Sequence, residues 1–502
     1  MQRGLTCLGV VLGLGASPAL ADVRDWVEAN RASILAEHVE LLSIPNVASD
    51  TPNIRRNAEK LVAMMRARGL APRLLEGAET SVPPAIYGEW PVPNAKRTLV
   101  LYAHYDGQRV TPEDWRAAKP FEPVLRSARL DRGGTALPLP KTGDAIDPEW
   151  RLYGRAASDD KAGVIAILAA VDALRAEGLT PSFHLKIFLD GEEEAGSPHL
   201  ADILRRNQAL LASDGWVIVD GPAHPSGAKQ VVLGVRGIVV ADITVYGATR
   251  PLHSGHYGNW APNPAMRLSR LLASMKDADG RVMIAGFYDD VTPSSAAERE
   301  AIAAVPSADE SLRAELGLAG TEGRGRRLIE LIQEPSLNID GLKSADVGDN
   351  ARNVIPATAT ATVDMRLVHG NDHRRQLEKL AAHIRAEGFH VVDREPTMEE
   401  RRRFPLIARL TPHEGYNAER TSLDHPLARD VVAAARAAGP TVILPTMGGS
   451  LPLHVIRDSL GAPSVTLALW NHDNNQHAED ENVRLGSLWD GIVTVAAILT
   501  MR

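Results

Sequence analysis

The chain has 502 residues, with 55 lysines and arginines against 63 aspartates and glutamates, and a net charge of −8. Its hydrophobic fraction of 44% is ordinary for a globular protein, so the chain can bury a large core. The mildly acidic balance excludes the strongly basic surface that is typical of nucleic-acid binding. One cysteine excludes an intrachain disulfide, a cysteine-based zinc site and an iron–sulfur cluster. Any bound metal must therefore be held by aspartate, glutamate or some of the 16 histidines.

Residues 1–21 have the pattern of a secretory signal peptide. A basic residue precedes an apolar run over residues 5–15, and a small-residue cleavage pattern follows it. The run is too short to span a bilayer as a stable helix, although a buried N-terminal helix is the alternative. We therefore predict a periplasmic or secreted protein that has no membrane association after cleavage. Cys7 would leave with the leader, so the mature chain would hold no cysteine.

After the leader, apolar periodicity predicts two helices, over residues 23–42 and 57–68, and then short apolar strands that alternate with helices. The predicted strands cover residues 98–103, 183–189, 216–219 and 464–469, and the most apolar helix covers residues 162–177. Strands this apolar are typically buried on both faces. We therefore predict an α/β domain with a mixed, largely parallel sheet and helices on each side.

A different pattern begins near residue 232, where strands with one solvated face replace the uniformly apolar ones. Its predicted strands cover residues 237–246, 357–368 and 389–392, and a charged amphipathic helix covers residues 372–387. We predict an inserted α+β domain of the ferredoxin-like kind over residues 232–402, with exposed helices and loops over residues 290–326. The larger domain would then be split between residues 22–231 and 403–502.

Polar side chains follow four predicted strands of the larger domain. In chain order they are His104 and Asp106, Glu192–Glu194, Asp220, and the loop over residues 470–477, which ends at His477. Ligands of open α/β sheets bind beyond the carboxyl ends of the strands, so we expect these groups to converge. Asp159 precedes the apolar helix and could bridge two metal ions through its two oxygens.

Each group also has an ordinary structural interpretation. His104 and Asp106 could be a surface pair, although a carboxylate that orients a ligating imidazole is typical of metal sites. Asp159 could complement a helix dipole, and the glutamates could be a solvated charge run. Asp220 could simply occupy a turn, and the loop around His477 could be a turn-rich surface loop. The residues alone leave these alternatives open.

Taken together and in order, six motifs resemble those of the M20 family of metallopeptidases, and most closely its dipeptidase branch, which includes the carnosine-type dipeptidases. The motifs are Tyr102-Ala103-His104-Tyr105-Asp106, Gly154–Lys161, Glu193-Glu194-Ala195-Gly196-Ser197, Leu252-His253-Ser254-Gly255, Asn353-Val354-Ile355-Pro356 and Gly448-Gly449-Ser450-Leu451-Pro452. The resemblance extends from about residue 30 to the C-terminus.

The resemblance implies a centre that holds two zinc ions per subunit, with manganese or cobalt also possible. Asp159 matches the carboxylate that bridges the ions. His104 and Asp220 match the ligands of one ion, and Glu194 and His477 match those of the other. In this family the peptide bond after the bridging aspartate is often cis.

The resemblance also implies the roles of residues that are not ligands. Glu193 matches the general base that activates the metal-bound water, and Asp106 matches the residue that orients His104. The inserted domain matches a lid that also forms a homodimer, in which His253 is donated across the dimer to stabilise the oxyanion.

Three further matches concern the carboxylate end of the substrate. Arg366 matches the residue that binds that carboxylate, and Asn353 and Ser450 match positions that help to hold it. An arginine on a solvated strand face is the structural alternative for Arg366. The implied reaction is amide hydrolysis of dipeptides or short peptides with a free C-terminal carboxylate. An N-acyl-amino-acid deacylase or a carboxypeptidase of the same family is the alternative, and a catalytically inactive binding protein would lack ligands that this chain has.

Overall fold

The computed structural model describes residues 18–449 and 451–501, and the chain divides into two units. Unit 1 comprises Met1–Val231, Asp424–Val442 and Val465–Arg502, and unit 2 comprises Val232–Leu423 and Ile443–Ser464. Most of the predicted leader lies outside the described residues, and residues 18–21 begin the first helix. No helix in the described ranges is both long enough and apolar enough to cross a membrane.

The described chain contains both α-helices and β-strands. The α-helices are α1 (Pro18–Leu42), α2 (Thr51–Ala67), α3 (Lys161–Ala176), α4 (Leu200–Arg206), α5 (Gln208–Leu211), α6 (Ser254–Tyr257), α7 (Pro264–Ser274), α8 (Ala296–Ala304), α9 (Asp309–Glu315), α10 (Leu328–Leu331), α11 (His373–Ala386), α12 (Met398–Arg403), α13 (Pro426–Ala438), α14 (Leu453–Leu460) and α15 (Leu485–Leu499). Short 3-10 turns cover Pro112–Asp114, Leu130–Arg132, Glu193–Ala195 and Gly348–Asn350.

The strands are β1 (Arg73–Leu75), β2 (Ala85–Trp90), β3 (Thr98–His104), β4 (Val124–Arg126), β5 (Ala136–Leu137), β6 (Arg151–Tyr153), β7 (His184–Asp190), β8 (Gly215–Val219), β9 (Lys229–Val232), β10 (Gly234–Val235), β11 (Gly237–Tyr246), β12 (Leu252–His253), β13 (Ser336–Lys343), β14 (Val354–Ile355), β15 (Thr358–Leu367), β16 (His390–Val392), β17 (Ile407–Tyr416), β18 (Glu419–Arg420), β19 (Thr441–Leu444), β20 (Ser464–Ala468) and β21 (Asn482–Arg484).

The main sheet has the strand order β1–β2–β7–β3–β8–β20–β9–β19. Strand β3 pairs in parallel with β7 and β8, whereas β2 pairs antiparallel with β1 and β7. Every residue of β8 is buried, as are all but the first residues of β3 and β7, which is typical of strands covered on both faces. The predicted mixed α/β sheet is confirmed, and the carboxyl ends of β3, β7 and β8 lie side by side.

Helix α3 is almost wholly buried, and it packs against α1 and α15. Close packing explains why position 163 of this helix is a glycine. A Cβ atom at Gly163 would lie 2.4 Å from the carbonyl oxygen of Val219, the last residue of β8. The glycine therefore lets the first turn of α3 approach the end of β8 closely, which brings Asp159 toward Asp220.

Unit 2 contains a five-stranded sheet in the order β13–β15–β11–β17–β16. Helices α7 and α11 pack against it. Buried and half-buried residues alternate along most of β11 and β15, as the sequence predicts for strands with one solvated face. Helix α11 begins after Asp372, whose side chain accepts a hydrogen bond from the Arg375 N–H at 2.9 Å.

Unit 2 continues past residue 402, where the predicted insertion ends, because β17 belongs to its sheet. This strand is rich in polar residues and contains Pro412, so apolar alternation does not predict it. The register of β17 against β11 shifts between Val239 and Ala241, and Pro412 lies opposite Ala241 at this irregularity. Proline has no N–H, and within sheets it is confined to edges and bulges. Residues 443–464 also belong to unit 2.

Candidate metal centre

Five of the predicted site residues follow or end three strands whose carboxyl ends are adjacent. Strand β3 ends at His104, and Asp106 follows two residues later. The 3-10 turn that carries Glu193 and Glu194 begins shortly after β7, and Asp220 follows β8 directly. The predicted convergence at one edge of the sheet is what the structure shows.

The first group of candidate ligands consists of His104, Asp159 and Asp220. One potential ligand atom from each lies within 4.8 Å of the other two. The Nε2 atom of His104 is 2.9 Å from Asp159 Oδ1 and 3.8 Å from Asp220 Oδ2. All three side chains are buried, so the group is shielded from bulk water.

The second group consists of Asp159, Glu194 and His477. The Nε2 atom of His477 is 3.1 Å from Asp159 Oδ2 and 3.2 Å from Glu194 Oε2. Two amides support this group, because Gln476 donates to Asp159 Oδ2 at 3.3 Å and Gln108 donates to Glu194 Oε2 at 2.9 Å. Asp159 therefore presents one oxygen to each group and is shared between them.

Asp106 contacts both His104 and the turn that carries Glu193 and Glu194. Its Oδ1 atom lies 3.3 Å from His104 Nδ1. Its two oxygens accept hydrogen bonds from the backbone N–H groups of Glu193 and Glu194, each at 3.1 Å. This buried carboxylate thus holds both the histidine ring and the turn that carries the two glutamates.

Glu481 is a residue that the sequence analysis does not single out, although it is fully buried beside Asp159. Its Oε1 atom accepts from the N–H groups of Ser158 and Asp159 and from the Ser158 hydroxyl, at 2.9–3.0 Å. Its Oε2 atom accepts from the Ala156 N–H at 3.0 Å and from Arg155 Nη1 at 2.8 Å. Glu481 therefore fixes the backbone that presents Asp159, whose bond to Asp160 is cis.

Burial and neighbouring charges shift the pKa values of the site residues. Burial, and then the negative charge of Asp159, raises the pKa of Asp220 to about 7. Burial also raises the pKa of Glu193 well above its ordinary value. Burial opposes ionisation of Asp159 too, but hydrogen bonds from His104 and His477 outweigh it and hold the pKa of Asp159 below its usual range. Hydrogen bonds to Asp159 and Glu194 raise the pKa of His477 to about 10.

These residues fit a pair of divalent cations. The Oε1 atom of Glu194 is buried and has no hydrogen-bond partner within the described ranges, so it is available as a ligand. Imidazole and carboxylate donors without thiolate suit zinc, manganese and cobalt. Bound cations would also offset the repulsion among the four carboxylates of Asp159, Asp220, Glu193 and Glu194.

Two other predicted site residues lie together in unit 2. His253 ends β12, and its exposed ring lies 4.5 Å from the ring of His256, centroid to centroid. The Nδ1 atom of His253 accepts a hydrogen bond from the Gly255 N–H at 3.1 Å. Asn353 is exposed just before β14, and its carbonyl oxygen accepts from the Ser254 N–H at 2.9 Å. The β12–β14 pair thus places His253 and Asn353 close together.

Arg366 lies elsewhere in unit 2, on β15, with about one third of its side chain exposed. Its Nε atom donates to Asp364 Oδ2 at 2.9 Å. Ser450 lies outside the described residues. The roles of these residues toward a substrate remain predictions.

Comparisons with known proteins agree with this fold. The sequence profile of "Peptidase family M20/M25/M40" matches residues 100–501. The Cys-Gly metallodipeptidase dug1 of Schizosaccharomyces pombe is 25% identical over 90% of this chain and 91% of its own length. The human Beta-Ala-His dipeptidase is 28% identical over 69% of this chain and 64% of its own length.

Solved structures show the same similarity. The M20 family metallo-carboxypeptidase Sso-CP2 of Sulfolobus solfataricus is 26% identical, with a TM-score of 0.74, and the match covers 93% of this chain and 98% of that one. The dipeptidase Dug1p of Saccharomyces cerevisiae is 21% identical, with a TM-score of 0.71 over 96% of this chain and 98% of its own, which supports the fold. The matched segment contains every candidate metal ligand, and this chain therefore belongs to the peptidase family M20/M25/M40.

Proposed function

We propose that this peptidase is a two-metal dipeptidase that hydrolyses dipeptides or short peptides with a free C-terminal carboxylate. The observation that carries the proposal is the Asp159 carboxylate, which offers one oxygen to each of two ligand groups. When bound, the two cations polarise the scissile carbonyl and lower the pKa of the attacking water. We favour zinc, and manganese or cobalt would suit the same donors.

Glu193 is the proposed general base. It accepts the proton of the attacking water and returns a proton to the leaving amine. Its backbone is held by Asp106, and its carboxyl lies close enough to His104 and Asp220 for their charges to affect its pKa. Glu194 is occupied by His477 and Gln108, which leaves Glu193 as the neighbouring carboxylate free for proton transfer.

Further roles in the proposed reaction are assigned to residues of unit 2. We assign stabilisation of the oxyanion to His253, and binding of the substrate carboxylate to Arg366 with help from Asn353 and Ser450. Arginine suits this task because its planar guanidinium forms paired hydrogen bonds with a carboxylate. The Asp364 carboxylate, which binds Arg366 Nε, would hold the side chain in position.

Two observations favour different substrate lengths. The matched relatives with dipeptidase names support dipeptides, whereas the Sso-CP2 structure, named as a metallo-carboxypeptidase, supports removal of a C-terminal residue from longer peptides. Deacylation of N-acyl amino acids is the remaining alternative from the sequence.

A substrate panel on metal-loaded enzyme tests the proposal. We expect dipeptides to be cleaved with a kcat/KM at least tenfold above that for pentapeptides or N-acetyl amino acids. Treatment with a chelator should abolish cleavage, and added zinc, manganese or cobalt should restore it, because the ligands lie on rigid strand ends. Amino-acid release is measured by chromatography. Preferential cleavage of pentapeptides or of N-acetyl amino acids would contradict the dipeptidase assignment.

We also propose that the enzyme is an exported homodimer. Strand β13 is an edge of the unit 2 sheet, and it exposes 47% of Ile339 and 60% of Leu342. Apolar side chains on an exposed edge strand are typical of interaction surfaces. Sedimentation velocity should give twice the chain mass for the wild type and the single mass for the Ile339→Lys, Leu342→Lys double variant.

Export is tested by sequencing the N-terminus of the exported protein. The sequence should begin at Asp22, and an intact N-terminus would contradict cleavage.

A further inference from the structure

A cavity of about 260 Å³ lies within unit 1, directly beside the candidate ligand Glu194. Three segments line it: residues 47–49, residues 107–109 and residues 194–195. A substrate whose scissile bond lies between the two ligand groups must extend into the space around them. The cavity borders the second of these groups, so one end of a dipeptide can enter it.

The lining of the cavity carries one cation that the metal centre does not use. Most of the other lining side chains are small or uncharged, and Glu194 is already bound by His477 and Gln108. Arg109 is exposed, and its guanidinium makes no hydrogen bond or ion pair with any residue in the described ranges. A cation without a partner beside a binding centre is available for an anionic group of the substrate.

The backbone that leads to Arg109 is firmly held. The Gly107 N–H donates to the carbonyl oxygen of Asn46 at 2.9 Å, and Val47 pairs with Gly107 in a parallel bridge. The next side chain, Gln108, is bound to Glu194. The guanidinium therefore extends from a fixed point at the wall of the cavity, and only the flexible side chain must be ordered when a ligand binds.

We propose that Arg109 binds a carboxylate of the substrate in this cavity. The inference rests on the proposed dipeptidase function and names the substrate chemistry of the same site. The carboxylate belongs to an acidic side chain of the N-terminal residue, because the C-terminal carboxylate is already assigned to Arg366. Arginine pairs with carboxylates through two parallel hydrogen bonds. Without the Arg109 guanidinium, the negative charge of Glu194 would repel a substrate carboxylate in this cavity.

The test compares two substrates, Glu-Ala and Gln-Ala, on metal-loaded wild type, Arg109→Gln and Arg109→Lys. Recognition of an acidic side chain predicts that Arg109→Gln lowers kcat/KM about tenfold for Glu-Ala, mainly through KM, and less than twofold for Gln-Ala. Arg109→Lys should retain part of the preference, because it keeps the charge without the paired geometry.

Arg132→Gln is the matched control, since Arg132 is exposed in the same unit and does not line the cavity. Its kinetics should equal those of the wild type, and all variants should bind the same amount of metal. Changes below twofold for both substrates in Arg109→Gln, or equal losses for both, would overturn the inference while cleavage of Gln-Ala by the wild type upholds the proposed function. A wild type that cleaves neither substrate would overturn both.

Discussion

Replacing Glu193 with glutamine is expected to lower kcat for dipeptide hydrolysis by about a thousandfold, within the range typical of a lost general base. Glutamine keeps the volume of the side chain but cannot accept the water's proton. The metal content should not change, because neither ligand group contains Glu193. Steady-state kinetics and elemental analysis of the same sample measure the two quantities together.

Glu59→Gln is a suitable control for this experiment. Glu59 is an exposed residue of α2 in the same unit, and the same change of charge there should leave kcat unaltered. The general-base assignment would be wrong if Glu193→Gln kept wild-type kcat at its normal metal content. Loss of metal from Glu193→Gln would instead show that Glu193 is a ligand.

Replacing Asp159 with alanine is expected to remove both metal ions, and with them all measurable hydrolysis. Residues that only support metal ligands are worth about 10–100-fold in metal affinity, and a carboxylate shared by two groups is worth more. The substitution also leaves the rings of His104 and His477 without the carboxylate that each contacts at 2.9 and 3.1 Å. The variant should therefore bind less than one metal equivalent after dialysis.

Asp202→Ala provides the comparison. Asp202 forms a surface ion pair with Arg206 on α4 at 2.8 Å, and such pairs contribute about 0–1 kcal/mol to stability. That variant should keep two metal equivalents and full activity. Retention of one tightly bound equivalent by Asp159→Ala would show that one of the groups holds its ion without the shared carboxylate.

Much of the site follows from sequence patterns because strands impose a simple geometry. The apolar runs before His104, Glu193 and Asp220 predict buried strands, and parallel neighbours must end at one edge of the sheet. Strand β11 matches its predicted bounds because a solvated face leaves a period of two in the sequence. The helix before residue 68 begins at Thr51, six residues earlier than predicted, because Asp50 and Pro52 form its N-terminus.

Contacts between distant segments could not be predicted in the same way. Glu481 lies four residues after His477 in a polar loop, and no periodicity indicates that it binds the backbone around Asp159. The amide of Gln108 that supports Glu194 depends equally on tertiary structure. Strand β17 is not predicted because Pro412 and its polar neighbours resemble a loop, and the irregularity beside Pro412 in β17 makes them compatible with a sheet.

The contacts of Glu481 also make the candidate metal centre depend on the C-terminal part of the chain. Asp159 and Glu481 are separated by 322 positions along the chain. A chain that ended before residue 477 would keep the residues of β3, β7 and β8 and would lack both His477 and the carboxylate that fixes the Asp159 backbone. The candidate centre is therefore complete only in a chain that extends through residue 481, and C-terminal truncation should remove metal binding before it removes these three strands.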